Sequence, residues 1–177
     1  MGTEGSTVLE PLWRGLPHLD QSTVSGSATC ALPPRFDSVK GARDFTRETL
    51  QRWRLDAEFD GVGLVVSELV TNALRHGLTS PGPMTGPAPG PALELTSPVR
   101  LDLIRWAARL VCAVRDPSGT PPKAATPREC GEYVDFTSES GRGLCLVESF
   151  SDGWGWHPLT GMARGKVVWA LFRIDPA

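Results

Sequence analysis

Apolar residues recur at helical spacing in two segments of the first half of the chain. The first segment follows Asp37 and Ser38, either of which can cap a helix, and extends to about Arg54. The second follows Asp60 and extends to Gly77, a residue type that commonly ends helices. The apolar arc of this second segment consists of Val62, Val66, Leu69, Val70 and Ala73. We therefore predict two long helices that each pack one face on a sheet.

Shorter segments carry the alternating, β-branched and aromatic residues that are typical of strands. They are residues 27–32, 99–105, 110–116, 153–157 and 166–174. The second and third of these form a predicted hairpin around Ala107 and Ala108, and a third amphipathic helix is predicted to open at Gly141. This order of elements predicts an α+β fold, a two-layer α/β sandwich whose mixed, mostly antiparallel sheet carries the helices on one face.

Glycine and proline, which number 19 and 16, are concentrated between these elements. Residues 1–25 show no sustained period and are expected to form a flexible leader ahead of a single domain at 26–177. Residues 80–91 are a predicted Pro/Gly-rich loop, because glycine and proline dominate them. Residues 120–140 lose all periodicity, which in a compact domain indicates either a functional lid or disorder.

The charge and the cysteines of the chain exclude several classes of function. A formal net charge of -2 gives no general attraction to nucleic-acid phosphates or to an anionic membrane, so we expect neither as the main partner. No apolar run is long enough to cross a bilayer, which favours a cytoplasmic protein. The four cysteines lack Cys-x-x-Cys spacing, so we predict neither a zinc site nor a disulfide framework and expect reduced thiols.

Glu68 and Asn72 lie four residues apart on the second predicted helix and therefore project from the same face, next to Arg75 and His76. A carboxylate and an amide oxygen suit magnesium bound together with nucleotide phosphates. A glutamate at such a site could also take a proton from an attacking hydroxyl group. The alternative is an ordinary solvated helix face, and the pair by itself does not decide between the two.

Two glycine-containing turns offer further candidate chemistry. Asp116 ends a predicted buried strand, where its carboxylate can accept a hydrogen bond from the amino group of a base, while Gly119 allows close approach to the backbone. Gly141 and Gly143 open the third predicted helix, whose unpaired N–H groups suit a phosphate. A simple turn and a simple helix start are the alternatives, and it is the order of the three motifs that strengthens the functional interpretation.

That order resembles the GHKL (Bergerat-fold) family of histidine-kinase-like ATP-binding domains. Within the family, the chain is similar to the RsbW-like anti-sigma factor serine/threonine kinases. The matching stretches are Ser-Glu-Leu-Val-Thr-Asn-Ala-Leu-Arg-His-Gly (67–77), Val-Arg-Asp-Pro-Ser-Gly (114–119) and Gly-Arg-Gly-Leu-Cys-Leu-Val (141–147). The resemblance extends over residues 27–174, nearly the whole predicted domain.

The resemblance implies roles for individual residues. Glu68 corresponds to the catalytic base, Asn72 to the residue that binds magnesium with the phosphates, and Asp116 to the carboxylate that binds the adenine amino group. Arg75 and His76 correspond to positions that can face the phosphates, or they simply finish the helix. The remaining positions that correspond to nucleotide contacts are Gly119, beside the base, and Gly141, Arg142, Gly143 and Leu144, beside the phosphates.

The chain departs from the family pattern in three places. The final strand of the family often carries Thr or Ser in a Gly-x-Thr pattern, where this chain has Val167. The turn after Asp116 lacks the second glycine of the fuller motif, and the 80–91 insertion closely follows the Glu68 helix. The motifs therefore support nucleotide binding more strongly than turnover.

The function implied by the resemblance is that of an ATP- and magnesium-binding regulator, an anti-sigma factor kinase that phosphorylates an anti-anti-sigma protein of STAS type. A sigma factor is the other implied partner, and a homodimer is compatible with this interpretation. The alternative is a catalytically inactive, nucleotide-sensing regulator of the same fold. A gyrase- or chaperone-type ATPase module and a sensor histidine kinase are disfavoured, because neither a transducer domain nor a phosphoacceptor helix pair is recognisable.

Overall fold

The computed structural model describes residues 23–79, 99–122, 142–160 and 165–174. In chain order the elements are β1 (Val24–Leu32), α1 (Ser38–Arg52), a 3-10 turn (Asp56–Glu58), α2 (Phe59–Thr79), β2 (Val99–Trp106), β3 (Arg109–Asp116), α3 (Arg142–Phe150), β4 (Gly153–Pro158) and β5 (Lys166–Arg173). Residues 1–22 of the predicted leader, the loop at 80–91 and residues 123–140 of the candidate lid lie outside the described residues. The last two residues of the predicted leader, Val24 and Ser25, belong to β1, so the first strand begins three residues before the predicted start at residue 27. The other domain boundaries stay predictions.

The five strands form one sheet in the order β1-β2-β3-β5-β4, and every neighbouring pair is antiparallel. The predicted hairpin is confirmed: Trp106 pairs with Arg109 across a two-residue turn, in which Ala107 adopts a positive φ of 48°. The α+β sandwich predicted from the sequence is therefore confirmed, with a sheet that is antiparallel throughout in the described residues.

The main core lies between the helices and one face of the sheet. The apolar arc predicted for α2 is buried there, together with Leu50 of α1 and Leu144 and Val147 of α3. Side chains alternate between the two faces of a strand, so the neighbouring positions of the sheet form a second, smaller cluster on its other face. That cluster consists of Ile104, Val111, Ala113, Val167 and Trp169.

Two further details of the sequence prediction are wrong. The helix α2 continues to Thr79, so Gly77 lies inside it rather than ending it. An internal glycine costs a helix only about 1 kcal/mol, an amount that the buried face of this long helix offsets. The expectation of reduced thiols holds for Cys30 and Cys112 but not for Cys145, which is disulfide-bonded.

Among the described residues, no helix is both long and apolar enough to cross a membrane.

Candidate functional site

Glu68 and Asn72 occupy the border between the buried and the exposed face of α2. Both side chains are half-buried, and they flank Leu69 and Val70, which pack in the core. Arg75, about one turn further along the helix, is exposed. The packed positions fix the rotation of the helix, so the carboxylate and the amide are held on one side of it rather than free in solvent.

The first turn of α3 lies directly against these two side chains. A Cβ atom added to Gly143 would lie 2.8 Å from Oε2 of Glu68, 3.2 Å from Nδ2 of Asn72 and 3.6 Å from its Oδ1. A side chain at position 143 would therefore fill the space beside both groups. Because the first N–H groups of a helix have no partner within the helix, α3 presents donors at the place where α2 presents a carboxylate and an amide. We call this group the Glu68–Asn72–Gly143 junction.

A second polar group lies at the end of β3, where Asp116 is only 2% exposed. Its Oδ1 accepts a hydrogen bond from the backbone N–H of Ser118 at 2.7 Å. The ammonium group of Lys166 lies 3.0 Å from Oδ1 and 2.9 Å from Oδ2 of the same carboxylate. Lys166 also donates to the backbone carbonyl of Ser118 at 3.2 Å, and is itself 2% exposed. We call this group the Asp116–Lys166 pair.

The register of the sheet places Lys166 beside Asp116, because the two residues are paired across β3 and β5. The preceding Gly165 makes this approach possible. It has a φ of 112°, and a Cβ atom at this position would lie 2.0 Å from the backbone oxygen of Asp116. A residue with a side chain would be strained by the backbone conformation and would also collide with β3.

Comparison with known proteins assigns the chain to a protein family. A sequence profile of the histidine kinase-like ATPase domain matches residues 32–170, which is most of the chain. The chain belongs to the histidine kinase-like ATPase domain family. It is thus an ATP-binding type of domain, and the two polar groups described above lie within the matched residues.

A solved structure shows the same fold. The chain is similar to the crystal structure of the RsbU and RsbW domains of Rv1364c from Mycobacterium tuberculosis, with a TM-score of 0.55 and 15% sequence identity. The similarity covers 86% of this chain and 34% of that one, so the present chain spans about a third of the length of its neighbour. The search of curated proteins found no match.

The structure places some of the residues that the family resemblance singles out and leaves others undescribed. It brings Glu68, Asn72 and Gly143 together. Gly119 is exposed, and a Cβ added there would meet no described atom within 4 Å. Leu144 is buried in the core cluster, which anchors α3. Gly141 and the side chains of His76 and Arg142 lie outside what the structure describes.

Lys166 was not among the residues predicted from the sequence. Val167 occupies the position of the family threonine, but its side chain lies on the opposite face of β5, in the smaller cluster. The side chain of Lys166 instead forms an ion pair with Asp116. The available signal was a lysine at the start of a strand that is apolar from Val167 to Phe172, in a chain with only three lysines. A charged residue in such a position is expected to have a buried partner.

Among the described residues, no cluster of three or more His, Cys, Asp or Glu side chains is arranged to hold a metal ion. The donors at the Glu68–Asn72–Gly143 junction are one carboxylate and one amide oxygen. Such a set fits magnesium, which keeps several waters and commonly binds through one or two protein oxygens together with the phosphates of a substrate.

Proposed function

We propose that this domain binds ATP with magnesium and acts as an anti-sigma factor serine/threonine kinase, whose substrate is an anti-anti-sigma protein of STAS type. The observation that carries the proposal is the Glu68–Asn72–Gly143 junction, where a candidate base, a candidate magnesium ligand and a helix N-terminus meet. Membership of the histidine kinase-like ATPase family supports the nucleotide. The RsbW domain named in the structural neighbour supports the choice of protein partners.

In this proposal Glu68 is the general base. Its carboxylate accepts the proton of the serine or threonine hydroxyl of the partner protein as the oxygen attacks the γ-phosphorus of ATP. The bond from the γ-phosphorus to the β,γ-bridging oxygen breaks in the same step, and ADP leaves with that oxygen. The half-buried position on α2 restricts the carboxylate to the side of the helix that faces Gly143. General-base catalysis of this kind contributes typically about 10²- to 10⁴-fold to a rate.

Asn72 would hold magnesium through its amide oxygen, and magnesium would neutralise charge on the phosphates. The backbone N–H groups of the first turn of α3 would donate hydrogen bonds to phosphate oxygens. Because Gly143 has no side chain, the space beside Glu68 and Asn72 stays open for the phosphate. We further assign Gly141, Arg142 and Leu144 to this phosphate side. Arg75 and His76 follow Glu68 on α2, and we assign them to positions that face the phosphates.

Asp116, next to Gly119, is the proposed acceptor for the amino group of adenine. A sigma factor is the second proposed partner, in addition to the anti-anti-sigma protein. The protein is proposed to act in the cytoplasm, where these partners would be found.

The test uses the variant Glu68→Gln, which keeps the size of the side chain and removes its function as a base. Magnesium-ATP binding is measured by calorimetry, and transfer of labelled γ-phosphate is measured with STAS-domain proteins encoded in the same genome. We expect ATP affinity to change by less than about threefold and transfer to fall by at least about 10²-fold.

The matched control is Glu48→Gln, which makes the same substitution at an exposed position of α1 and should change neither quantity. Undiminished transfer by Glu68→Gln would refute the assignment of the base. Absence of magnesium-ATP binding in the wild-type protein would refute the nucleotide site as a whole.

Two departures from the family pattern favour a second candidate, a catalytically inactive nucleotide-sensing regulator. Val167 stands where the family often has Thr or Ser, and the turn after Asp116 lacks the second glycine of the fuller motif. This candidate predicts that the wild-type protein binds ATP but transfers no phosphate to any STAS-domain protein of the same genome.

A further inference from the structure

The smaller apolar cluster of the sheet is as deeply buried as the main core. Ile104, Val111, Ala113 and Val167 have an exposed fraction of 0%, and Trp169 is 9% exposed. These residues lie on the three neighbouring strands β2, β3 and β5, so they form one continuous patch, which we call the outer sheet face. Side chains on an uncovered face of an antiparallel sheet are solvated. A further layer of the chain therefore covers this face.

The helices of the described residues do not supply this layer. Helices α1, α2 and α3 all contribute to the main core, on the opposite face of the sheet. Of the residues that the structure describes, only strand residues and Leu159, which follows β4, contribute to the cluster on the outer sheet face. The covering layer therefore comes from one of the segments outside the described residues.

The chain enters β1 on the side of the outer sheet face. Thr23, which precedes β1, accepts a hydrogen bond at its Oγ1 from the indole N–H of Trp106, and its carbonyl accepts one from the backbone N–H of Ala107 at 3.2 Å. Trp106 comes two residues after Ile104 in β2, so its side chain is on the same face of the sheet. The residues before Thr23 therefore start at the edge of the outer sheet face.

The other segments outside the described residues are attached differently. Residues 80–98 follow α2 and residues 123–141 precede α3, and both helices lie on the opposite face of the sheet. Residues 161–164 and 175–177 are too short to cover a patch three strands wide, because neighbouring strands lie about 4.8 Å apart. The segment before β1 is thus the best placed to cover the outer sheet face.

The composition and the length of this segment suit such a role. Half of the residues in 8–19 are large and apolar, namely Val8, Leu9, Leu12, Trp13, Leu16 and Leu19. By contrast, glycine and proline dominate residues 80–91, and residues 123–141 carry four acidic side chains. Residues 8–22 can span up to about 50 Å when extended, which exceeds the length of an eight-residue strand such as β5, about 26 Å.

We propose that residues 8–19 dock on the outer sheet face of their own chain and form a third layer of the domain. This inference is independent of the proposed nucleotide function. It replaces the expectation of a flexible leader for these residues. It also means that a partner protein meets the outer sheet face only when the segment has left it.

Trypsin cleavage after Arg14 reports whether the segment is docked. Arg14 lies within residues 8–19 and is followed by Gly15. The initial rate is measured by mass spectrometry on the whole chain and on a synthetic peptide of residues 1–22, which has no sheet to dock on. A docked segment must detach before the protease can bind it, so we expect cleavage to be at least about 30-fold slower in the whole chain.

The variants Ile104→Ala and Leu103→Ala form a matched pair. The two residues are neighbours in β2 and both are 0% exposed, but Ile104 lies on the outer sheet face and Leu103 in the main core. Both variants should unfold at a lower temperature. Only Ile104→Ala should speed cleavage after Arg14, by about tenfold, because it alone removes contacts with the segment.

A second pair of variants changes the segment and leaves the sheet unchanged. Leu12→Ser should speed cleavage after Arg14 by about tenfold, and Glu4→Ser, outside residues 8–19, should not change it. Each rate is divided by the rate of the peptide with the same substitution, which removes any direct effect on the protease. This pair decides the question even where Ile104→Ala fails to fold.

Three results would overturn the inference. Cleavage of the wild-type chain as fast as that of the peptide would show that the segment is not docked. Equal acceleration by Ile104→Ala and Leu103→Ala would show that it docks elsewhere. Protection that disappears on dilution would show that the segment docks on a second copy of the chain.

Discussion

The substitution Gly143→Ala tests the Glu68–Asn72–Gly143 junction with one methyl group. The added Cβ would lie 2.8 Å from Oε2 of Glu68, whereas ordinary van der Waals contact begins at 3.4 Å, so the oxygen must retreat by about 0.6 Å. The atom in the way is the end of a flexible side chain, which can rotate without moving either helix. The backbone of α3 should therefore keep its position.

The free-energy terms of this substitution nearly cancel. Replacing glycine by alanine in a helix stabilises it by about 0.5 to 1 kcal/mol. Pushing one side chain off its preferred rotamer costs about 0.5 to 1.5 kcal/mol. We therefore expect the free energy of unfolding to change by less than about 1 kcal/mol. Catalysis is more sensitive, because misplacing a reacting group by about 1 Å can cost on the order of 10²-fold in rate.

The expected result is a variant with nearly wild-type stability and greatly reduced activity. Urea denaturation measures the stability, and phosphate transfer to a STAS-domain protein at saturating ATP measures the activity, which should fall by about 10- to 100-fold. The control is Gly41→Ala in α1, where an added Cβ meets no described atom within 4 Å. That variant should gain stability and retain activity. Full activity of Gly143→Ala, or a loss of several kcal/mol, would refute the reasoning.

Three further predictions concern stability and thiol chemistry. Lys166→Met should lower the free energy of unfolding by about 3 to 5 kcal/mol in urea denaturation, because it leaves the buried carboxylate of Asp116 without its charge partner; a loss below about 1 kcal/mol would contradict this. Leu74→Ala, at a fully buried position of α2, should cost about 2 to 5 kcal/mol in the same assay, and a near-neutral effect would mean that the helix does not pack as described. Burial raises the pKa of the Cys112 thiol from its ordinary value of 9.0 to about 12, and raises that of Cys30. Mass spectrometry after iodoacetamide treatment at pH 8.5 should therefore show slow modification of Cys30 and none of Cys112 in the native protein, and equal modification would contradict it. Because the pKa of Cys112 is higher in the folded state, its contribution to stability is complete below about pH 9 and declines as the pH rises towards about 12.

Much of the fold follows from local sequence patterns. The apolar arc of α2, from Val62 to Ala73, predicts which face of the helix is buried. Residues that recur at helical spacing lie on one face of the helix, and an apolar face packs away from water. The turn at Ala107 and Ala108 is likewise predictable, since two alternating strands so close in sequence can only pair as a hairpin. The end of α2 was less predictable, because a single glycine is a weak signal against the packing of a long helix.

The sequence alone determined the order of the elements, the buried faces and the residues that resemble an ATP-binding family. Only the tertiary structure decided which of those residues meet. Gly143 is 75 positions from Glu68, and Lys166 is 50 positions from Asp116, so neither contact is visible in local periodicity. The first contact depends on how α3 packs on α2, and the second depends on the register between β3 and β5. A shift of that register by one residue would have placed Val167, and not Lys166, beside the carboxylate.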